Sequence, residues 1–109
     1  MDIPIQNDLD VIVNRINLLL PDAKVYLFGS YATGRQRDDS DIDLCVVAPK
    51  YHERRMQVLC SIRGAIRGAT KLPVDILAFT DEEFERRSKL RPTIQYTIAN
   101  EGVLLNGQY

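Results

Sequence analysis

The first twenty positions of the chain mix apolar and polar residues at the spacing of one helical face. The apolar positions are Leu9, Ile12, Val13, Ile16 and Leu20. Their recurrence every three or four residues predicts a helix over residues 8–20. We expect Asn7 or Asp8 to cap its start through a side-chain oxygen, and Pro21 to mark its end.

Three short apolar runs, rich in branched and aromatic residues and bounded by glycine or proline, predict β-strands. They cover residues 24–28, 42–48 and 74–79. Behind the first run, the small residues 30–34 suit a single helical turn. The polar residues 36–40 that follow suit a loop, so a turn and a loop are expected between the first two strands.

Helical spacing returns after the second strand, where residues 51–69 predict a longer helix. Its inward face is expected to consist of Met56, Leu59, Ile62, Ile66 and Ala69. Gly64 and Gly68 weaken this helix by about 1 kcal/mol each relative to alanine, although they also allow close packing. After the third strand, Thr80 and Glu83 have the spacing of a capping box, which predicts the start of another helix.

The end of the chain carries signals for one more helix and an edge strand. The helix is expected to begin at Arg91-Pro92 and to end at Gly102. Ile94 and Ile98 are expected to face inward. The apolar residues 103–105 that follow suit a short strand at the edge of the sheet.

Helices that alternate with strands in this order predict an α/β or α+β domain, with a small mixed sheet and helices packed around it. The 109 residues suit one domain over 1–109, and 45% of them are hydrophobic, which is enough to fill a core. The formal net charge of −1 gives no global basic field, so a nucleic-acid substrate is disfavoured.

Nothing in the sequence predicts export or insertion into a membrane. Met1 opens directly into a polar segment, and no apolar run approaches the roughly 20 residues that cross a bilayer. Cys45 and Cys60 lie among apolar residues and are expected to be two buried, reduced thiols. A cytoplasmic location is therefore the expectation.

Two aspartates stand two residues apart at the start of the second strand. Side chains at this spacing point to one face, so Asp41 and Asp43 project together while Ile42 and Leu44 point into the core. Two like charges on one face repel each other unless a cation lies between them, and oxygen-only ligands suit Mg²⁺ or Mn²⁺. Taken alone, the pair is also compatible with a solvated strand entry.

Asp75 interrupts the apolar run of the third strand. A carboxylate in such a run is costly unless it is paired or bound to a metal. If the third strand lies beside the second, Asp75 joins Asp41 and Asp43, and three carboxylates can hold one or two metal ions. The alternative is an exposed position on an edge strand.

Gly29-Ser30 lies where the first strand turns into the short helix. Glycine lets a phosphate approach the backbone closely, and the helix start offers N–H groups to an anion. Ser30 can donate its hydroxyl, and Arg35, Arg37 and Lys24 can neutralise further phosphate charge, although the two arginines can equally pair with the neighbouring loop aspartates. A phosphate-binding turn beside a set of metal-binding carboxylates indicates phosphoryl- or nucleotidyl-transfer chemistry.

The same residues resemble a known signature. Gly29-Ser30, ten intervening residues and then Asp41-Ile42-Asp43 are similar to the signature of the DNA polymerase beta-like nucleotidyltransferase superfamily. The residues around them, Leu27-Phe28-Gly29-Ser30-Tyr31-Ala32-Thr33-Gly34 and Asp39-Ser40-Asp41-Ile42-Asp43-Leu44, look like its minimal nucleotidyltransferase (MNT) branch. The third carboxylate of the family falls on Asp75, and the resemblance is strongest over residues 24–79.

The resemblance implies the DNA polymerase beta-like fold, ATP as the substrate and Mg²⁺ as the cofactor. The catalytic and metal-binding residues that it implies are Asp41, Asp43 and Asp75. Within this set, Asp75 would also activate the attacking hydroxyl. The expected nucleotide-binding residues are Gly29, Ser30, Arg35, Arg37 and Ser40.

The resemblance also implies a partner. Short MNT proteins commonly pair with a HEPN-domain toxin, and in such pairs the MNT protein is the antitoxin that transfers AMP to a tyrosine of the toxin. We therefore expect an oligomer with a HEPN protein. Two alternatives stay open: an antitoxin that neutralises its partner by binding alone, and an antibiotic-type, small-molecule nucleotidyltransferase, which would need an acceptor domain that these residues do not supply.

Overall fold

The computed structural model describes residues 5–50 and 54–106 of the chain. Within these residues, helices and strands alternate as the sequence predicts. In chain order they are α1 (Gln6–Leu19), β1 (Lys24–Phe28), α2 (Ser30–Thr33), β2 (Ile42–Ala48), α3 (Arg55–Ala65), β3 (Val74–Thr80), α4 (Asp81–Arg87), α5 (Ile94–Glu101) and β4 (Val103–Leu104). The expected bounds of the first three strands are confirmed to within one residue.

The four strands form one mixed sheet in the order β3-β2-β1-β4. β1 pairs antiparallel with β2 and with β4, while β2 and β3 run parallel. Parallel neighbours need a crossover connection, and α3 supplies it between β2 and β3. The mixed sheet confirms the expected fold class, and the position of β4 confirms the edge strand.

Each face of the sheet packs against its own pair of helices, because side chains alternate along every strand. One face meets α1 and α3, and the fully buried residues of this larger core include Leu9, Ile16, Leu27, Leu44 and Ile62. The other face meets α4 and α5 in a smaller core of Cys45, Val47, Phe79, Phe84 and Ile98. The second face also carries the aspartates of the candidate site.

The start of α1 differs from the expected one. The helix begins at Gln6, and no side chain caps it, so neither Asn7 nor Asp8 acts as the N-cap. The carboxylate of Asp8 instead accepts a 2.8 Å hydrogen bond from the hydroxyl of Thr70. This bond ties α1 to the loop before β3.

The crossover helix α3 is shorter than predicted. It ends at Ala65, and the first three residues of the predicted helix, 51–53, lie outside the described residues. Of the residues predicted to face inward, Ile62 and Ile66 are buried, Leu59 and Ala69 pack against the same core, and Met56 is the exception. Val58 and Ile62 are buried, whereas 69% of Met56 is exposed. Met56 lies about 200° around the helix from Val58, so the two side chains cannot face the same core.

The capping box at α4 is confirmed. The side chain of Thr80 accepts from the Glu83 N–H, and the Glu83 side chain accepts from the Thr80 N–H. α5 begins later than expected, because Thr93 rather than Arg91-Pro92 caps it through a 3.0 Å hydrogen bond from the N–H of Tyr96. Its end at Gly102 is confirmed.

Only one of the two residues that were predicted to face inward from α5 is buried. Ile98 is completely buried, but Ile94 is 43% exposed. Ile94 is the first residue of the helix, where the chain turns away from the smaller core, and its side chain faces a cleft instead.

The two cysteines have different environments. Cys45 is buried in the smaller core, as expected, and burial raises the pKa of its thiol to about 12. Cys60 lies on the outer side of α3 and is exposed, so the expectation of burial is wrong for this residue. None of the described helices is long and apolar enough to cross a lipid bilayer.

Candidate active site

Two aspartates meet side by side at one end of the sheet. Asp43 of β2 and Asp75 of β3 are register partners on neighbouring parallel strands, so their side chains leave the same face. The neighbouring β2 residues Ile42 and Leu44 have no exposed surface, which confirms that they point into the opposite core. Asp41 precedes the first residue of β2 and is exposed to solvent.

The carboxylates of Asp41, Asp43 and Asp75 influence one another. The pKa of Asp43 is raised above its ordinary value, first by partial burial, then by the negative charge of Asp75 and third by that of Asp41. Repulsion from both neighbours makes the ionised form of Asp43 less favourable than that of an isolated aspartate. A cation placed against Asp43 would remove that penalty.

Gly29 lies directly against Asp43. A β-carbon at position 29 would stand 2.2 Å from the Oδ2 atom of Asp43, far inside any real contact distance. Gly29 also has a φ of +77°, a backbone conformation that residues with a side chain rarely adopt. Position 29 therefore requires glycine for two separate reasons. The Asp43 carboxylate fills the space that a side chain would take, and the backbone of Gly29 is exposed to solvent.

The single helical turn after Gly29 is confirmed. The carbonyl of Gly29 accepts hydrogen bonds from the N–H groups of Ala32 and Thr33, and the carbonyl of Ser30 accepts from the N–H of Arg35 at 2.9 Å. Gly34 ends the turn in the left-handed conformation with a φ of +75°. This arrangement holds Ser30 next to Gly29 and returns the chain towards the loop that precedes β2.

Ser40 and Arg37 meet within that loop. The hydroxyl of Ser40 accepts from the N–H of Arg37 at 2.7 Å, and the N–H of Ser40 donates to the carbonyl of Arg37 at 3.0 Å. The two residues close a turn immediately before Asp41. The hydroxyl of Ser40 is thus engaged in ordering the loop, and the side chain of Arg37 is exposed.

A cleft of about 470 Å³ opens beside the glycine turn. Its near wall contains Phe28, Gly29, Ser30 and Arg35, which the sequence places around the first strand and the turn. Its far wall belongs to α5. The residues of that wall are Ile94, Thr97 and Glu101.

Sequence reasoning missed the α5 wall. The spacing of Ile94 and Ile98 was compatible with two core residues, and only the packing of α5 shows that the first of them borders a cleft. The available signal was Glu101, a carboxylate placed one helical turn beyond Thr97 and immediately before the terminating glycine. Its helical spacing from Ile94 and Thr97 puts the three residues on one side of α5.

Lys24 does not belong to the site. It is the first residue of β1, whereas Gly29 follows the last, which puts the two about 16 Å apart along an extended strand. Lys24 lines a different cavity together with Asp81 and Glu85. A direct role for Lys24 in binding the same phosphate as Gly29 is therefore excluded.

The donor atoms of the carboxylate group suit a hard divalent cation. Among residues 5–50 and 54–106, no three acidic, histidine or cysteine side chains stand close enough together to enclose a metal ion. Mg²⁺ is usually held by one or two carboxylates, with water and substrate phosphate oxygens completing its coordination. The paired carboxylates of Asp43 and Asp75, with their mutual repulsion, fit that mode of binding.

A glycine turn open to a phosphate, set against paired carboxylates, is the type of arrangement that phosphoryl-group transfer uses. A family model described as a nucleotidyltransferase domain matches residues 8–105, and the chain belongs to this nucleotidyltransferase domain family. The expected enzyme class is thereby confirmed. No curated protein matches the chain at a significant level.

Solved structures share the fold over nearly the whole chain. A structure described as a minimal nucleotidyltransferase is 26% identical with a TM-score of 0.61, and the match covers 94% of this chain and 95% of that one. A toxin–antitoxin structure with AMP-PNP is 24% identical with a TM-score of 0.60, over 93% of this chain and 73% of that one.

A third similar structure contains a modified toxin. It holds a tri-AMPylated HEPN toxin of Shewanella oneidensis in complex with an MNT antitoxin. The matched chain is 21% identical with a TM-score of 0.54, and the match covers 94% of this chain and 71% of that one. The expected resemblance to minimal nucleotidyltransferases, including MNT antitoxins, is confirmed at the level of the fold.

Proposed function

We propose that the protein is a Mg²⁺-dependent adenylyltransferase that moves AMP from ATP to a hydroxyl group of a HEPN-domain partner. The observation that carries this proposal is the contact of Gly29 with the carboxylate of Asp43, beside Asp75. This contact brings the phosphate-binding turn and the acidic group to one place, as transfer of a phosphoryl-linked group requires.

In the proposed reaction, the oxygen of the acceptor hydroxyl bonds to the α-phosphorus of ATP. The bond from that phosphorus to the bridging oxygen of the β-phosphate breaks, and pyrophosphate leaves with the electron pair. Asp75 lies at the outer side of the pair and accepts the proton of the hydroxyl. Gly29 and Ser30 position the triphosphate, and Arg35 offsets part of its negative charge.

The remaining polar residues have supporting roles in this proposal. Asp43 and Asp75 would hold Mg²⁺, which when bound neutralises charge on the phosphates, and Asp41 would have to move closer to them to become a third ligand. The turn closed by Ser40 and Arg37 sets the position of Asp41 at the entry to β2. Ser40 therefore contributes to nucleotide binding through the loop that it orders.

A tyrosine of a HEPN toxin is the proposed acceptor. The fold is shared with a chain from the complex of a tri-AMPylated HEPN toxin and an MNT antitoxin, and with a chain from a toxin–antitoxin structure that contains AMP-PNP. Those descriptions apply to those complexes, and they support the same pairing for this protein. Modification of the toxin would then be the antitoxin activity.

The test uses ATP labelled in the α-phosphate, Mg²⁺ and a purified HEPN toxin. The wild-type protein is expected to transfer label to the toxin, and Asp41→Ala is expected to abolish the transfer. Asp22→Asn, in the exposed turn before β1, is the matched control and should transfer label normally. If wild type and Asp41→Ala neutralise the toxin equally and neither transfers label, the proposal fails.

A further inference from the structure

The α5 wall of the cleft has the character of a ligand surface. Ile94 leaves 43% of its surface exposed there, although a buried position is normal for a large aliphatic side chain. Across the cleft, Phe28 offers an aromatic side chain. The volume of about 470 Å³ is within the range of roughly 300–1,000 Å³ that is common for small-molecule sites.

The cleft borders the carboxylates of Asp43 and Asp75 through Gly29, which lines the cleft. Phe28 is the register partner of Asp43 across β1 and β2, so the two side chains share one face of the sheet. Gly29 follows Phe28 and touches the carboxylate of Asp43. A nucleoside triphosphate whose phosphates lie at Gly29 can therefore extend its nucleoside into the cleft without crossing the sheet.

The charges on the two walls fix the direction of such a ligand. Arg35 on the near wall is a cation, whereas Glu101 on the far wall is an anion. In the described part of the chain, neither residue forms an ion pair or a side-chain hydrogen bond with another residue. A triphosphate is favoured near Arg35 and repelled by Glu101, so the uncharged end of the nucleotide belongs at α5.

The position of Asp75 indicates that the nucleotide, and not the acceptor, occupies the cleft. Across the end of the sheet, Asp75 lies on β3, Asp43 on β2 and Gly29 after β1, in that spatial order. An acceptor hydroxyl that gives its proton to Asp75 approaches from the β3 side. The cleft opens on the opposite side of Asp43, beyond Gly29.

We propose that this cleft receives the nucleobase and that Glu101 selects bases that carry an exocyclic amino group, as adenine does. The inference rests on the proposed nucleotidyl transfer and assigns a specificity residue to it. A carboxylate accepts hydrogen bonds and donates none when it is ionised, so it favours an amino group and disfavours a carbonyl at the same place. Ile94 and Phe28 supply apolar surface for the faces of the ring.

Calorimetric titration with ATP and with inosine triphosphate (ITP), each with Mg²⁺, tests the assignment. ITP has a carbonyl where ATP has the amino group. The wild-type protein is expected to bind ATP at least about tenfold more tightly than ITP, since a hydrogen bond to a charged group is replaced by repulsion. Glu101→Gln presents a carboxamide that can donate as well as accept, so the two affinities should come within about threefold of each other.

Two further measurements locate the effect at the base. Glu82→Gln removes the same charge from the exposed first turn of α4, and it should keep the wild-type preference for ATP. Inorganic tripolyphosphate, which has no base, should compete equally well for wild type and for Glu101→Gln. Stronger competition in Glu101→Gln than in the wild type would place Glu101 beside the phosphates and overturn the assignment.

The measurements distinguish a wrong role for Glu101 from a wrong proposed function. An ATP-to-ITP ratio near one in the wild type, or a ratio left unchanged by Glu101→Gln, would overturn the role of Glu101 while AMP transfer continues. A wild-type protein that binds neither nucleotide nor tripolyphosphate would overturn the inference and the proposed adenylyl transfer together.

Discussion

The backbone of Gly29 lies so close to Asp43 that a β-carbon at position 29 would stand 2.2 Å from the Oδ2 atom of the carboxylate. Gly29→Ala must therefore displace Asp43 or the turn, and it also forces alanine into a positive φ. We expect a loss of stability of about 1–3 kcal/mol and a severe loss of AMP transfer. Thermal or denaturant unfolding and the labelled-ATP assay measure the two effects.

Gly64→Ala is the matched control for this substitution. Gly64 lies in α3, and a β-carbon there would meet no atom within 4 Å. Alanine is the better helix former, so this variant should be more stable than the wild type by up to about 1 kcal/mol, with unchanged transfer. Equal effects of the two substitutions would contradict the role given to the contact between Gly29 and Asp43.

Replacement of Asp43 by asparagine should stabilise the protein when no divalent cation is present. The pKa of Asp43 is raised in the fold, so its protonated form is the one that the folded state favours. The contribution of the protonated side chain to the free energy of unfolding is complete below the ordinary pKa of aspartate. It is lost as the pH rises through the raised pKa of Asp43. Asp43→Asn cannot ionise, so its melting temperature should increasingly exceed that of the wild type as the pH rises above the ordinary pKa of aspartate, about 4, and the difference should level off above the raised pKa.

Addition of Mg²⁺ should reverse this order. A cation that binds only the folded state stabilises it, and Asp43→Asn removes a ligand, so the wild type should gain more stability than the variant. Asp22→Asn provides the control for the removal of one negative charge from an exposed position. If Asp43→Asn melts below the wild type at neutral pH without metal, the repulsion inferred at this group is wrong.

The two thiols should react at very different rates. Cys60 is exposed, whereas Cys45 is fully buried and burial raises its pKa to about 12. Because the thiolate is the reactive species, a thiol reagent at neutral pH should modify Cys60 alone in the native protein. Peptide mapping should find Cys45 labelled only after denaturation, and rapid native labelling of Cys45 would contradict its burial.

The capping box at α4 should contribute measurably to stability. Thr80→Ala removes the side-chain acceptor for the N–H of Glu83 and should cost about 1 kcal/mol. Ser61→Ala, on the exposed side of α3, is a control in which no cap is lost. Denaturant unfolding distinguishes the two variants, and equal stabilities would contradict the contribution assigned to the capping box.

Features that depend on local periodicity could be predicted from the sequence. The alternation around Asp43 placed it on the face opposite Ile42 and Leu44, and the pairing of β2 with β3 then brought Asp75 beside it. The need for glycine at position 29 was also visible, although the reason expected was approach of a phosphate. The contact between Gly29 and the carboxylate depends on the register of β1 with β2, which local pattern does not specify.

Features that depend on how helices rotate against the sheet could not be predicted. Met56 and Cys60 are exposed because α3 turns another side towards the core. Ile94 has the helical spacing of the buried Ile98, yet it is exposed because it is the first residue of α5 and faces a cleft. The cleft wall at Glu101 arises only when α5 packs beside β1, which brings residues distant in sequence together.

The most direct test of the central proposal is the intact mass of a HEPN toxin after incubation with this protein, ATP and Mg²⁺. The toxin is expected to gain the mass of one or more adenylyl groups with the wild type and with Asp22→Asn, and none with Asp43→Asn. Asp43→Asn is expected to be at least as stable as the metal-free wild type, so unfolding would not explain its inactivity. A toxin that is neutralised without any gain in mass, or modified equally by Asp43→Asn, would contradict the proposed adenylyl transfer.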